Sequence, residues 1–234
     1  MNMNDIAPGV LPPATATDAR DVEGASTLWG ALKLFLTLPS PRLFAITVVA
    51  FACARPFVGP LEWVDLWIAL GVLVYWPFQE WFLHQYLLHF KPKKFLGFTI
   101  DPFPGRYHRF HHRHPWRIET ATLPISAMLM ISPIHWALWW LFTPSLHRAV
   151  TGIICFTLAA LLYEWTHYLT HTPYRPRSNY YRKIWRNHRL HHFKHEDYWH
   201  SFTVPYIDTW FFTNPDPKTV ETSDTCLTLG VEDE

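Results

Sequence analysis

The chain has 234 residues and a formal net charge of +1, and 17% of its residues are aromatic, with 13 Trp and 17 Phe. That length fits one domain or two small ones; the near-neutral balance says little until the charges are placed, no nucleic-acid partner is expected, and the aromatic content suits a lipid interface. Cys53, Cys155 and Cys226 stand far apart with no CxxC, which argues against a disulfide framework and against a thiolate zinc site.

Residues 1–25 place Pro8, Pro12 and Pro13 among Ala, Thr and Asp and lack the basic and apolar blocks of a secretory signal; they are expected to be disordered. The stretch 28–38 (LWGALKLFLTL) is too short to span a bilayer and carries Lys33, so an interfacial helix is expected, with Thr27 as its N-cap. Four apolar stretches follow, at about 42–59, 64–88, 122–143 and 148–170, each near the ~20 residues that cross a hydrocarbon core. The second closes on Gln79, Glu80, His84 and Gln85, and the fourth on Glu164, His167 and His171. Such groups must leave the bilayer or face the protein interior. Pro102, Pro104, Gly105 and Pro115 bracket a short helix, and Ser178 or Asn179 can cap another that runs to about Lys194. Residues 214–234 set Asp216, Glu221, Asp224, Glu232, Asp233 and Glu234 against Lys218, and a solvated, mobile acidic tail is expected.

The charges order these spans. Lys91, Lys93, Lys94, Arg106, Arg109, Arg113 and Arg117 follow the second span, and Arg175, Arg177, Arg182, Lys183, Arg186, Arg189 and Lys194 follow the fourth, whereas the opposite connections hold only Arg55 and Arg148. By the positive-inside rule the basic face and both termini are cytoplasmic. The expected fold is an all-α integral membrane protein of four transmembrane helices in two hairpins under a cytoplasmic helical cap.

Ten of the fifteen histidines fall into four clusters on that face: His84/His89, His108/His111/His112, His167/His171 and His188/His191/His192. The last three have helical same-face spacing, while His84 and His89 lie five apart, about 140° around an ideal helix, and are expected to approach from different angles. Ten imidazoles exceed what one metal can use, so two metal ions in an all-histidine cage are expected. His114, His135, His147, His195 and His200 are left outside that cage. Imidazole suits iron, copper, zinc or nickel; a redox-capable pair at the bilayer edge suits oxygen-dependent attack on a lipid C–H bond. A metal transporter, the non-enzymatic alternative, would place ligands along a path through the membrane, and here they gather at one face.

The segment LYEWTHYLTH…NHRLHHFKHEDYWHSFTVPYIDTWFFT, with HQYLLH and HRFHH before it, resembles the fatty acid hydroxylase superfamily of membrane di-iron oxygenases (the sterol desaturase family), its acyl 2-hydroxylase branch in particular. The resemblance covers residues 84–212 and implies four membrane helices beneath a cytoplasmic cap, in a hydroxylase-like domain spanning 26–213. It further implies two iron ions held by the ten histidines, zinc being able to occupy the site in purified samples, and O2 as co-substrate. No HPGG haem-domain motif occurs, and 1–41 is too short for that domain, so electrons are expected from a separate ferredoxin or cytochrome with its reductase. The substrate is expected to be a fatty acid or acyl lipid, with a sterol, carotenoid or aminolipid headgroup, or desaturation, as the alternatives. Glu164, and less strongly Glu80, Asp197 and Asp208, are expected to accept hydrogen bonds from ligand imidazoles.

Overall fold

A computed structural model describes residues 25–231, so the segment expected to be disordered lies, apart from Ala25, outside the described residues. Helix α1 (Leu28–Phe35) begins where Thr27 accepts from the backbone of Gly30, the expected cap. It ends earlier than expected, because Pro39 and Pro41 open a new helix, α2 (Pro39–Ala54), which runs on as one 3-10 turn to Phe57. The axes of the two meet at 86°. Pro is pre-organised for the first helical turn and removes the amide that would have continued the previous helix.

Helix α3 (Trp63–Phe82) continues without a break into a π-helical turn, Leu83–Leu88. Helices α5 (Ile125–Phe142) and α6 (Leu146–Thr170) follow α4 (Phe103–Arg113), which carries the first HxxHH. Helix α7 (Asn179–Phe193) carries the second and is capped by Ser178, as expected, and α8 (Ile207–Trp210) is a single turn. Central α6 packs on α2, α3 and α5. Three segments, Trp63–Leu88, Ile118–Phe142 and Leu146–Thr170, are long and apolar enough to cross a membrane; α1 and α2 pass only as a bent pair, making the count three or four. Most of their surface is apolar and unburied, as lipid contact requires; only 11% of the Ile118–Phe142 window is buried.

At the far ends of the spans Arg55 pairs with Asp65 at 3.0 Å, Thr151 donates to Asp65, and Arg148 pairs with Glu62 at 2.7 Å. This clamp joins α2, α3 and α6.

Two differences from the expectation stand out. The fold is mostly but not wholly helical: β1 (Lys93–Phe95) pairs antiparallel with β2 (Phe98–Ile100). Leu96 and Gly97 supply the two positive φ values, 48° and 83°, of the tight turn between them. The acidic tail is not free over its described length. Ser223 donates to the Lys194 carbonyl, Arg113 donates to the Val231 carbonyl, and Cys226 and Leu229 are buried. The acids of 214–222 stay outward while the small and apolar residues after them pack on α4 and the end of α7.

Candidate metal centre

The π turn decides how the centre begins. The amide of His89 donates to the carbonyl of His84, an i→i+5 bond of 3.2 Å. Such a bond widens the turn and brings residues five apart nearly into line. The two rings lie 5.0 Å apart rather than on diverging faces of an ideal helix.

All ten clustered histidines converge, in two sets of five. His84, His89, His108, His112 and His191 form one, and His111, His167, His171, His188 and His192 the other, with candidate ligand atoms in each within 4.8 Å of one another. The sets touch, the rings of His112 and His192 stacking at 4.1 Å. Each set draws on both halves of the chain, so neither half can build one alone.

Four of the outward nitrogens are held by the protein. Nδ1 of His84 donates to the His200 carbonyl at 2.6 Å, of His112 to the Cys226 carbonyl at 2.8 Å, and of His191 to the Tyr198 carbonyl at 2.8 Å. His111 donates to Oγ1 of Thr120, whose own proton goes to the Arg117 carbonyl. Burial holds His89, His108, His111, His112, His171, His188 and His192 well below the ordinary histidine pKa, neighbouring imidazoles adding to the effect, and holds His191 at about 4. The rings are therefore neutral, and one whose Nδ1 carries the proton presents a bare lone pair at Nε2.

These lone pairs face each other. Nε2 of His112 lies 3.2 Å from Nε2 of His191, and 3.1 Å from that of His108. In the second set Nε2 of His171 lies 3.3 Å from that of His167 and 2.7 Å from that of His188. Metal–imidazole bonds of about 2.0–2.1 Å place adjacent ligand nitrogens about 3.0–3.4 Å apart, which the pairs at 3.1, 3.2 and 3.3 Å match and the His171–His188 pair, at 2.7 Å, undercuts. The donor set and its spacing thus fit a cation in each set, and imidazole alone accepts iron, zinc, copper or nickel.

A strained loop aims two of the carbonyls. Trp199, fully buried, sits at φ +59° between Tyr198 and His200, whose carbonyls take His191 and His84. A bulky residue in that region costs about 1–3 kcal/mol, and three anchors hold it there. The Trp199 amide donates to Thr213, Asp208 accepts from the amides of His200 and Ser201, and Glu80 accepts from the amides of Phe202 and Thr203. Glu80 and Asp208 therefore act through this loop rather than by accepting from imidazoles directly. Burial raises the Asp208 pKa despite these bonds. Glu164 likewise accepts from the Leu123 amide at 3.0 Å, fixing the segment that carries Thr120, and Asp197 is exposed. None of the five histidines left outside joins either set. His200 nonetheless lies fully buried with its ring 5.1 Å from His84 and 5.2 Å from His191, and its carbonyl role has no signature in residue type.

An apolar cavity of about 230 Å³ descends from the centre between α3, α5 and α6. His84, His108 and His167 line its upper end, and Trp76, Met128 and Phe156 are among its walls.

The fatty acid hydroxylase family model matches residues 69–213. A dihydroceramide fatty acyl 2-hydroxylase of Arabidopsis thaliana is 29% identical over 66% of this chain and 63% of its own length, and a second from that plant is 28% identical over 82% and 76%. The fatty acid 2-hydroxylase of Mus musculus is 26% identical over 80% of this chain and 50% of its own, so the chain spans only part of the relatives it matches. Among solved structures, full-length scs7p, with only its hydroxylase domain visible, superposes with a TM-score of 0.62 at 18% identity over 79% of this chain and 68% of that one. With the family model covering more than half its length, the chain belongs to the fatty acid hydroxylase family.

Proposed function

We propose that the chain is a membrane hydroxylase that inserts one oxygen atom of O2 into a C–H bond of a fatty acyl chain. The observation that carries this is the facing pair His112 and His191, two neutral imidazoles with Nδ1 committed to carbonyls and Nε2 atoms 3.2 Å apart. A cation between such lone pairs makes the arrangement favourable, and the cavity ends at His84, His108 and His167, with Nε2 of His108 3.1 Å from that of His112. The ten histidines would hold two metal ions, which the resemblance to membrane di-iron oxygenases implies are iron; bound there, they would supply the redox chemistry of O2 reduction. The overall balance is C–H plus O2, two electrons and two protons giving C–OH and water, and the electrons would come from a separate donor such as a ferredoxin or cytochrome. The residues' own contribution is placement. The walls of α3, α5 and α6 shelter the chain from water and present one carbon to the upper end of the cavity, while the carbonyls of Tyr198, His200 and Cys226 fix the rings.

In this reading residues 26–213 form the hydroxylase domain, α2 supplies the remaining span with α1 lying at the membrane interface, and the basic cap and both termini face the cytoplasm. Mass spectrometry of lipids from cells that express the chain tests the function. A gain of one oxygen on an acyl chain, absent in His191→Ala, is expected. A loss of two hydrogens would make it a desaturase, and unchanged lipids would overturn the reading.

A further inference from the structure

The cavity has a polar floor that the hydroxylase reading does not use. His135 lies mid-way along α5, within a candidate membrane span, and it lines the cavity with its ring stacked on Phe156 at 3.6 Å. The indole N–H of Trp139 donates to its Nε2 at 2.8 Å. An acceptor at Nε2 leaves the proton of the neutral ring on Nδ1, and no protein group among the described residues accepts from it. Ser132, three residues earlier and so on the same helix face, also lines the cavity, and its hydroxyl likewise makes no hydrogen bond to a described residue. A titratable side chain within a span is costly unless it serves a purpose. Here a donor and a hydroxyl without a protein partner among the described residues stand with Met128, Ile131, Trp136 and Phe156 in the cavity wall.

Their depth defines what they would meet. Phe156, the stacking partner of His135, precedes His167 by eleven residues of continuous helix, about 16 Å at the α-helical rise and roughly the reach of a dozen methylenes. We propose that His135 and Ser132 form a polar subsite for an oxygen acceptor, a hydroxyl or carbonyl group, borne on the acyl chain roughly a dozen carbons from the carbon presented to the histidines. The proposal rests on the acyl-chain reading of the cavity and adds to it a substrate class: chains already oxygenated towards their far end.

The test is displacement of a fluorescent polyene fatty acid from the purified full chain in detergent, which needs no turnover. The competitors are an unsubstituted saturated fatty acid and its positional hydroxy isomers. One isomer hydroxylated in the distal half is expected to bind about three- to tenfold more tightly than the unsubstituted acid, the worth of one net hydrogen bond. His135→Phe, which keeps a ring against Phe156, should erase that preference while the unsubstituted acid binds as before, and His135→Gln, which keeps a donor, should restore part of it. Equal binding of all isomers by the parent chain, or a preference that survives His135→Phe, overturns the subsite and leaves the acyl-chain reading standing. Failure of every acid to displace the reporter overturns both.

Discussion

At one end of α3 and α6, Asp65 accepts from Arg55 and Thr151 and Glu62 pairs with Arg148, so that each buried or half-buried charge meets its opposite within the protein. At the other end of the same helices, ten like groups, all imidazoles, meet in two sets of five. The distal cluster is complete as folded, and its work is to hold three helices together. The histidine cluster gathers donors that could hold a metal in each set, and outer hydrogen bonds and a strained loop fix several of its rings. Polar density alone would not tell the two apart; the signs of the charges and the protonation of the rings do.

The sharpest way to break the comparison is to remove one imidazole from each set. His191→Ala and His111→Ala should each abolish hydroxylated product and lower the bound metal of the purified protein towards one ion per chain, as measured by elemental analysis. Full metal content in both variants would dissolve the distinction between the ends. Next, Asp65→Ala should leave metal content intact yet cost about 3–5 kcal/mol of stability in detergent, because Arg55 is left buried without its partner; it is read as an earlier thermal or denaturant transition. Chelation should act at the other end alone, removing about 4 kcal/mol if the metal had stood ~1,000-fold above its Kd, with recovery on adding back iron(II) under reducing conditions. Smallest are the supports. Asp208→Ala and Thr120→Val should each weaken metal retention about 10–100-fold in chelator competition, with the chain still folded and membrane-inserted.

Much of the centre was legible from residue spacing. His108, His111 and His112, or His188, His191 and His192, occupy one face of any α-helix, and the charge bias placed all four clusters at one end of the spans. The angle between His84 and His89 was not legible, since nothing in HQYLLH distinguishes an i→i+5 turn from an i→i+4 one. Nor were the groups that orient the rings: a carbonyl belongs to every residue, so the roles of Tyr198, His200 and Cys226 depend on where the backbone turns, at Trp199 above all. The acids Glu80, Glu164 and Asp208 stand out in the sequence as acceptors for ligand imidazoles, whereas in the structure they accept from backbone amides, a role that residue type does not reveal. The tail read as solvated from its acids, yet Cys226 and Leu229 anchor it.

The π turn at Leu83–Leu88 carries one residue more than an α-helix of the same reach would need. The histidine end of α3 therefore depends on how the chain is wound and not only on composition. Deleting a single residue between His84 and His89 would relax the turn to ordinary winding and, by turning their spacing from five into four, still keep both rings on one face. An HxxxH in ordinary winding and an HxxxxH across a π turn thus present the same pair of rings, although an inventory of motif spacings counts them as different.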